Sequence, residues 1–239
     1  MSGSLAGHTA LVTGATSGIG RAIALALAAE GATVRAVGRR RQALDSLANA
    51  RPSIREEQVD LLVDDDIECL VRNVNAGEER LDILVHAAGA FALGSVECAP
   101  VADLDHLYRV NVRAPYVLTQ GLLPALTRAR GQVVFVNSSA GVRAGATLSQ
   151  YAATKHALKA LADSLRCEVN DDGIRVISVF PGRTASPMQQ HLHQLEERPY
   201  RAPDLLQPDD VAAVVVHALS LPRSAEATDV HVRSMLKPT

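Results

Sequence analysis

Short apolar runs alternate along this chain with longer stretches in which apolar residues recur every three or four positions. The first kind predicts buried strands and the second amphipathic helices. Strands are expected at Thr9–Thr13, Thr33–Val37, a short charged segment ending at Gln58-Val59, Leu81–Val85, Gln132–Val136, Ile174–Phe180 and Thr228–Val232. Helices are expected at Gly18–Glu30, Arg41–Ala50, Asp64–Gly77, Ser149–Val169 and Asp209–Leu219, the last behind Pro208. A long helical region from Val101 to Ala129 is expected to break or kink near Pro115 and Pro124. Pro181 to Pro208 reads as one long irregular loop, expected to be mobile and to border the substrate. Strands alternating with helices define an α/β fold, a parallel sheet with helices on both faces, in one domain over residues 1–239.

Composition narrows the function classes. Apolar residues make up 47%, enough for one large core, and the formal net charge of −2 gives no basic stripe for a polyanion. Aromatic residues are 3% with no Trp, so a stacking surface for single-stranded nucleic acid is not expected. The three cysteines, Cys69, Cys98 and Cys167, fit neither a disulfide framework nor a metal knuckle, and no metal is expected. No leader pattern or membrane-length apolar run is read, which leads us to expect a cytoplasmic protein without membrane or nucleic-acid partners.

The chemistry gathers just after the strands. Thr13-Gly14-Ala-Thr16-Ser17-Gly18-Ile19-Gly20 joins the first strand to the first helix. Glycines let the backbone turn sharply and approach a pyrophosphate, and the helix N-terminus offers free N–H groups to it. After the second strand, Gly38 stands where a carboxylate would bind a ribose 2′-hydroxyl, and Arg39 offers a fork suited to a 2′-phosphate. Asp60-Leu61 follows the third strand, and His86-Ala87-Ala88-Gly89 ends the fourth. Ser138 follows the fifth strand, and Pro181-Gly182 the sixth, with Ser186 shortly after. In Tyr151-Ala-Ala-Thr-Lys155 the two end residues share one helix face, and a cation one turn from a phenol favours the phenolate, making Tyr151 a usable acid/base. The chain has three lysines against 21 arginines, so an amine at 155 stands out. All these sites fall at the carboxyl ends of strands, where open parallel sheets bind ligands.

Together Thr13–Gly20, Ala87-Ala88-Gly89, Asn111, Ser138, Tyr151–Lys155 and Pro181-Gly182 closely resemble the short-chain dehydrogenase/reductase family over nearly the whole chain. The resemblance implies a doubly wound, Rossmann-type sheet of seven strands and a nicotinamide cofactor, NADP(H) preferred on the strength of Arg39, NAD(H) usable. It implies that Tyr151 is the catalytic acid/base, Ser138 the hydroxyl orienting substrate, and Lys155 the group that binds the nicotinamide ribose and lowers the tyrosine pKa. Asn111 would hold a water in a proton relay, and a homotetramer or homodimer is implied. His86 stands where the family often has Asn, and Ser186 where a Thr commonly contacts the nicotinamide amide. The ending at Ser234–Thr239 lacks the Gly-Gly of many relatives. The expected activity interconverts a carbonyl and a secondary alcohol. Walls at Phe91–Val96, Ala140–Leu148 and Arg183–Leu206 would enclose the substrate, with Arg143, Arg183 and His191 as anion-recognising candidates. A 3-oxoacyl-thioester reductase of the same fold and a non-catalytic NADP sensor are the alternatives.

Overall fold

A computed structural model describes residues 3–76 and 80–235. Gly77, the expected end of one helix, and residues 236–239 lie outside the described residues. Seven parallel strands form one sheet in the order β3-β2-β1-β4-β5-β6-β7. They are β1 (Thr9–Thr13), β2 (Thr33–Gly38), β3 (Ile54–Gln58), β4 (Ile83–His86), β5 (Gln132–Val136), β6 (Arg175–Pro181) and β7 (Asp229–Val232). The four central strands are almost wholly buried, as their unbroken apolar runs require. β3 carries Arg55, Glu56 and Glu57 because it is an edge strand paired only with β2.

Alternate strand residues feed two separate cores. Val12, Val34, Val85, Val134 and Val179 pack beneath α1 (Gly18–Ala29), α2 (Arg41–Ala50) and α8 (Pro208–Leu219). Leu11, Val37, Leu84, Phe135 and Val176 face the other way, toward α3 (Asp64–Ala76), α5 (Ala114–Ala129) and α6 (Ser149–Val169). Each side chain of full aliphatic size so buried contributes about 1.5–3 kcal/mol. The chain changes direction across the sheet between β3 and β4, so β1 and β4, neighbours in space, send their following loops to opposite sides. A crevice opens there at the carboxyl edge.

Two expectations are corrected. The helical region after Val101 is interrupted near Pro115, as expected, but by a π turn rather than a loop, and it does not break at Pro124. α4 (Val101–Tyr108) passes through a π turn, Arg109–Arg113, into α5 without a gap, and Pro124 sits inside α5. Pro115 has no N–H to donate to the carbonyl of Asn111 four residues back, and the widened turn falls on that segment. Nor is 181–208 irregular throughout: it holds α7 (Pro187–Leu195), capped by the Ser186 hydroxyl, which accepts from the Gln189 N–H at 3.2 Å, and a short 3₁₀ turn at Ala202–Asp204.

His86 turns away from the crevice. Its ring stacks on Phe135 with centroids 5.0 Å apart, Nε2 lies 2.9 Å from the Thr119 hydroxyl, and burial pushes its pKa down to about 3. The unfolded chain therefore takes up a proton near pH 6.5 that the folded chain refuses until about pH 3, and stability falls as pH falls through that window. Between pH 6.5 and 4.5 the loss attributable to His86 is up to about 2–3 kcal/mol. Urea unfolding across this range is expected to give a shallower pH slope for His86→Gln than for the wild type; identical slopes would contradict this.

Candidate active site

The carboxyl edge carries a cleft of about 550 Å³. Its floor is the β1–α1 turn. Gly14 has φ +67°, and a Cβ there would lie 2.7 Å from the backbone N of Ala88, so only glycine permits the two strand ends to meet. Thr13 locks the same junction: its hydroxyl oxygen accepts from the N–H groups of Ala87 (3.1 Å) and Ala88 (3.2 Å). Gly18 opens α1 at φ +53°, and the N-cap residue, Ser17, makes no side-chain cap, which leaves the first amides of α1 without a side-chain acceptor. Those amides and the positive end of the helix dipole suit an anion. Arg40 donates to the Thr16 carbonyl at 3.0 Å and braces the turn, whereas the neighbouring Arg39 lines the cleft, exposed, with no side-chain partner among the described residues. Asp60 closes a local turn, its carboxylate accepting from the Leu62 N–H at 3.0 Å.

On the far wall, α6 delivers Tyr151 and Lys155 one turn apart, and the end of β5 delivers Ser138. The Ser138 hydroxyl lies beside the Tyr151 phenol, where it favours the phenolate, and Phe91 leans on the Tyr151 ring at a centroid distance of 4.9 Å. Lys155 is buried; its Nζ donates to the Val136 carbonyl at 3.1 Å and lies 5.9 Å from the Tyr151 ring centroid. Burial pulls the ammonium down to about 8. The phenol departs from expectation. Burial raises its pKa, the Ser138 hydroxyl opposes the rise, and the Lys155 ammonium gives one of its three donors to the Val136 carbonyl.

Every catalytic and cofactor-binding residue expected from the sequence lines this cleft except Asn111. Asn111 is buried beside it and splints the loop after β4: Oδ1 accepts from the Ala90 N–H (2.8 Å), and Nδ2 donates to the Ala90 carbonyl (3.0 Å) and the Thr154 hydroxyl (3.0 Å). Asn137 was not singled out in the sequence. It joins Ser138 to α6 by accepting from the Ser138 N–H at 2.9 Å and donating to the Lys155 carbonyl at 3.1 Å. Its only sequence signal is a polar residue directly after an apolar strand. Arg143 and His191 are exposed and lie outside the cleft lining. Arg183 lines it, but both terminal nitrogens are engaged by Glu196, at 2.6 and 2.7 Å.

Residues 8–197 match the family model for short chain dehydrogenases. An uncharacterized short-chain type dehydrogenase/reductase of Sinorhizobium fredii is 36% identical over 230 residues, covering 94% of this chain and 90% of its own. A solved short chain dehydrogenase/reductase family protein shares 32% identity over 96% of this chain and 97% of its own, with a TM-score of 0.84. A Beutenbergia cavernae protein solved with bound NADP shares 28% identity over 95% of each chain, also with a TM-score of 0.84. The chain belongs to the short-chain dehydrogenase/reductase family and is an NAD(P)-dependent oxidoreductase. Among the described residues, no helix is long and apolar enough to cross a membrane.

Asn111→Ala is expected to leave the Ala90 N–H and carbonyl unpaired and to cost about 1–3 kcal/mol, read by thermal unfolding. An unchanged melting temperature would mean that the loop does not depend on this splint.

Proposed function

We propose that this protein interconverts a carbonyl and a secondary alcohol, with NADP(H) preferred over NAD(H). The observation that carries the reading is the meeting of Ser138, Tyr151 and Lys155 on one wall of the cleft that the glycine turn floors. The residues fit a dinucleotide. Gly14, Thr16, Ser17, Gly18, Ile19 and Gly20 would hold the pyrophosphate through the unsatisfied amides of α1. Asp60 and Leu61 would hold the adenine end, and Ala87, Ala88, Gly89, Pro181, Gly182 and Ser186 the nicotinamide end. When bound, the nicotinamide supplies or accepts the hydride.

The chain's own work is orientation and proton transfer. Ser138 donates to the substrate oxygen and fixes it beside Tyr151. In reduction the Tyr151 phenol gives its proton to that oxygen as it becomes an alcohol; in oxidation the phenolate takes it back. Carbonyl, reduced cofactor and one proton thus balance alcohol and oxidised cofactor. Lys155 would hold the nicotinamide ribose, and its charge would offset the burial that otherwise disfavours the phenolate. The Asn111 carbonyl, left without the Pro115 N–H as a helical donor, would hold a water that relays the proton outward. The reading includes a single domain with 181–208 bordering the substrate, a cytoplasmic location, and the homotetramer or homodimer that the family resemblance implies.

Tyr151→Phe keeps the ring against Phe91 but removes the acid; turnover is expected to fall about 10²–10⁴-fold while cofactor binding persists. A variant retaining most of its activity would remove Tyr151 from the mechanism. Arg39→Ala is expected to weaken NADPH binding by about 10- to 100-fold, measured by fluorescence titration, with NADH nearly unaffected. Equal losses for both cofactors would make Arg39 structural.

A further inference from the structure

The cleft's two flanks differ in their charges. Arg39, Arg40 and Asp60 follow β2 and β3, on one flank of the sheet. Arg183 follows β6, four strand positions from β2, on the order of 19 Å away. Among the described residues that line the cleft from β5, α6, β6, α7 and the segments joining them, Lys155 and Arg183 are the cations and Glu196 the carboxylate. Lys155 is buried on the Val136 carbonyl, behind Tyr151. Arg183 is therefore the one cation on that flank placed to meet an incoming anion, and it lines the same cleft as Tyr151 and Ser138.

Glu196 already occupies it. Each guanidinium terminal nitrogen faces one carboxylate oxygen, at 2.6 and 2.7 Å, and the two side chains are 32% and 18% exposed. The guanidinium in turn holds the Glu196 carboxyl below the usual carboxylate range, so the pair is fully charged and mutually neutralised at neutral pH. The rest of that wall carries no charge: apolar Phe91, Ala140, Leu148, Met188 and Leu192 alternate with polar side chains such as Thr184, Ser186 and Gln189.

We propose that Glu196 is a specificity determinant: an internal carboxylate that occupies the Arg183 fork, so that the cleft selects uncharged carbonyl compounds and alcohols over their carboxylate-bearing counterparts. The proposal rests on the reading of this cleft as a carbonyl/alcohol site. A substrate carboxylate approaching Arg183 meets a pair of zero net charge, so the repulsion of Glu196 offsets much of the guanidinium's attraction. Removing Glu196 leaves a planar cation in a partly apolar wall, a ready carboxylate site.

The test compares butanoate with its uncharged isostere butyramide, by NMR titration of the protein with and without NADP+. The wild type is expected to bind butanoate no tighter than butyramide. Glu196→Ala should bind butanoate at least tenfold tighter than the wild type does, with butyramide unchanged, and adding Arg183→Met should erase the gain. Equal butanoate affinity in wild type and Glu196→Ala overturns the proposal, as does a gain that survives Arg183→Met. Should Glu196→Ala fail to fold, Glu196→Gln keeps the shape and removes the charge, and the absence of any gain there overturns the proposal equally. The readout needs no hydride transfer. Loss of turnover with this binding pattern intact would therefore fault the catalytic reading alone.

Discussion

Everything in this molecule follows from the demand that a parallel sheet be covered on both faces. Parallel neighbours cannot be joined by tight turns, so each crossover must carry a helix or a long segment, and all strands end on one edge. The apolar residues of β1, β4, β5 and β6 obey that demand by alternating between two cores. The residues expected to bind ligand collect at the carboxyl edge, where the reversal between β3 and β4 separates the loops after β1 and β4. Thr13 and Gly14 show how tight that junction is, one hydroxyl serving two amides and a missing Cβ making room for a backbone nitrogen.

Burial also sets the proton affinities. Tyr151 and Lys155 sit one helical turn apart in a cleft wall where burial disfavours charge on both: the phenol is pushed up, the amine down to about 8. Opposite displacements reverse the order the two groups have in water and widen the gap between them, so that the ammonium gives up its proton before the phenol, and each becomes sensitive to what lies beside it. The Ser138 hydroxyl is the neighbour that already favours the phenolate.

Much of this was legible in the sequence because the signals are local. Unbroken apolar runs gave the central strands, and the glycine turn, Ser138 and the Tyr151–Lys155 pair fall on strand ends and one helix face that spacing alone predicts. What escaped depends on tertiary context. α7 is short, rich in Gln and His, and flanked by a proline, so its pattern resembles a loop until the Ser186 cap is seen. The π turn has no sequence period. His86 has the same signal whether it faces the cofactor or Phe135, and only the packing of α5 decides. The Arg183–Glu196 pair joins residues across a helix whose existence was not read. The sequence places Lys155 beside Tyr151, yet burial, which outweighs it here, is a property of the fold.

The central claim is that Tyr151 exchanges the proton and that Ser138 helps to set its affinity. The most direct measurement is the pH dependence of alcohol oxidation at saturating oxidised cofactor, in the wild type and in Ser138→Ala. Oxidation needs the phenolate, so the rate should rise with pH through one ionisation, and losing the Ser138 hydrogen bond should move that ionisation to higher pH. An ionisation that stays in place, or moves to lower pH, would contradict the account.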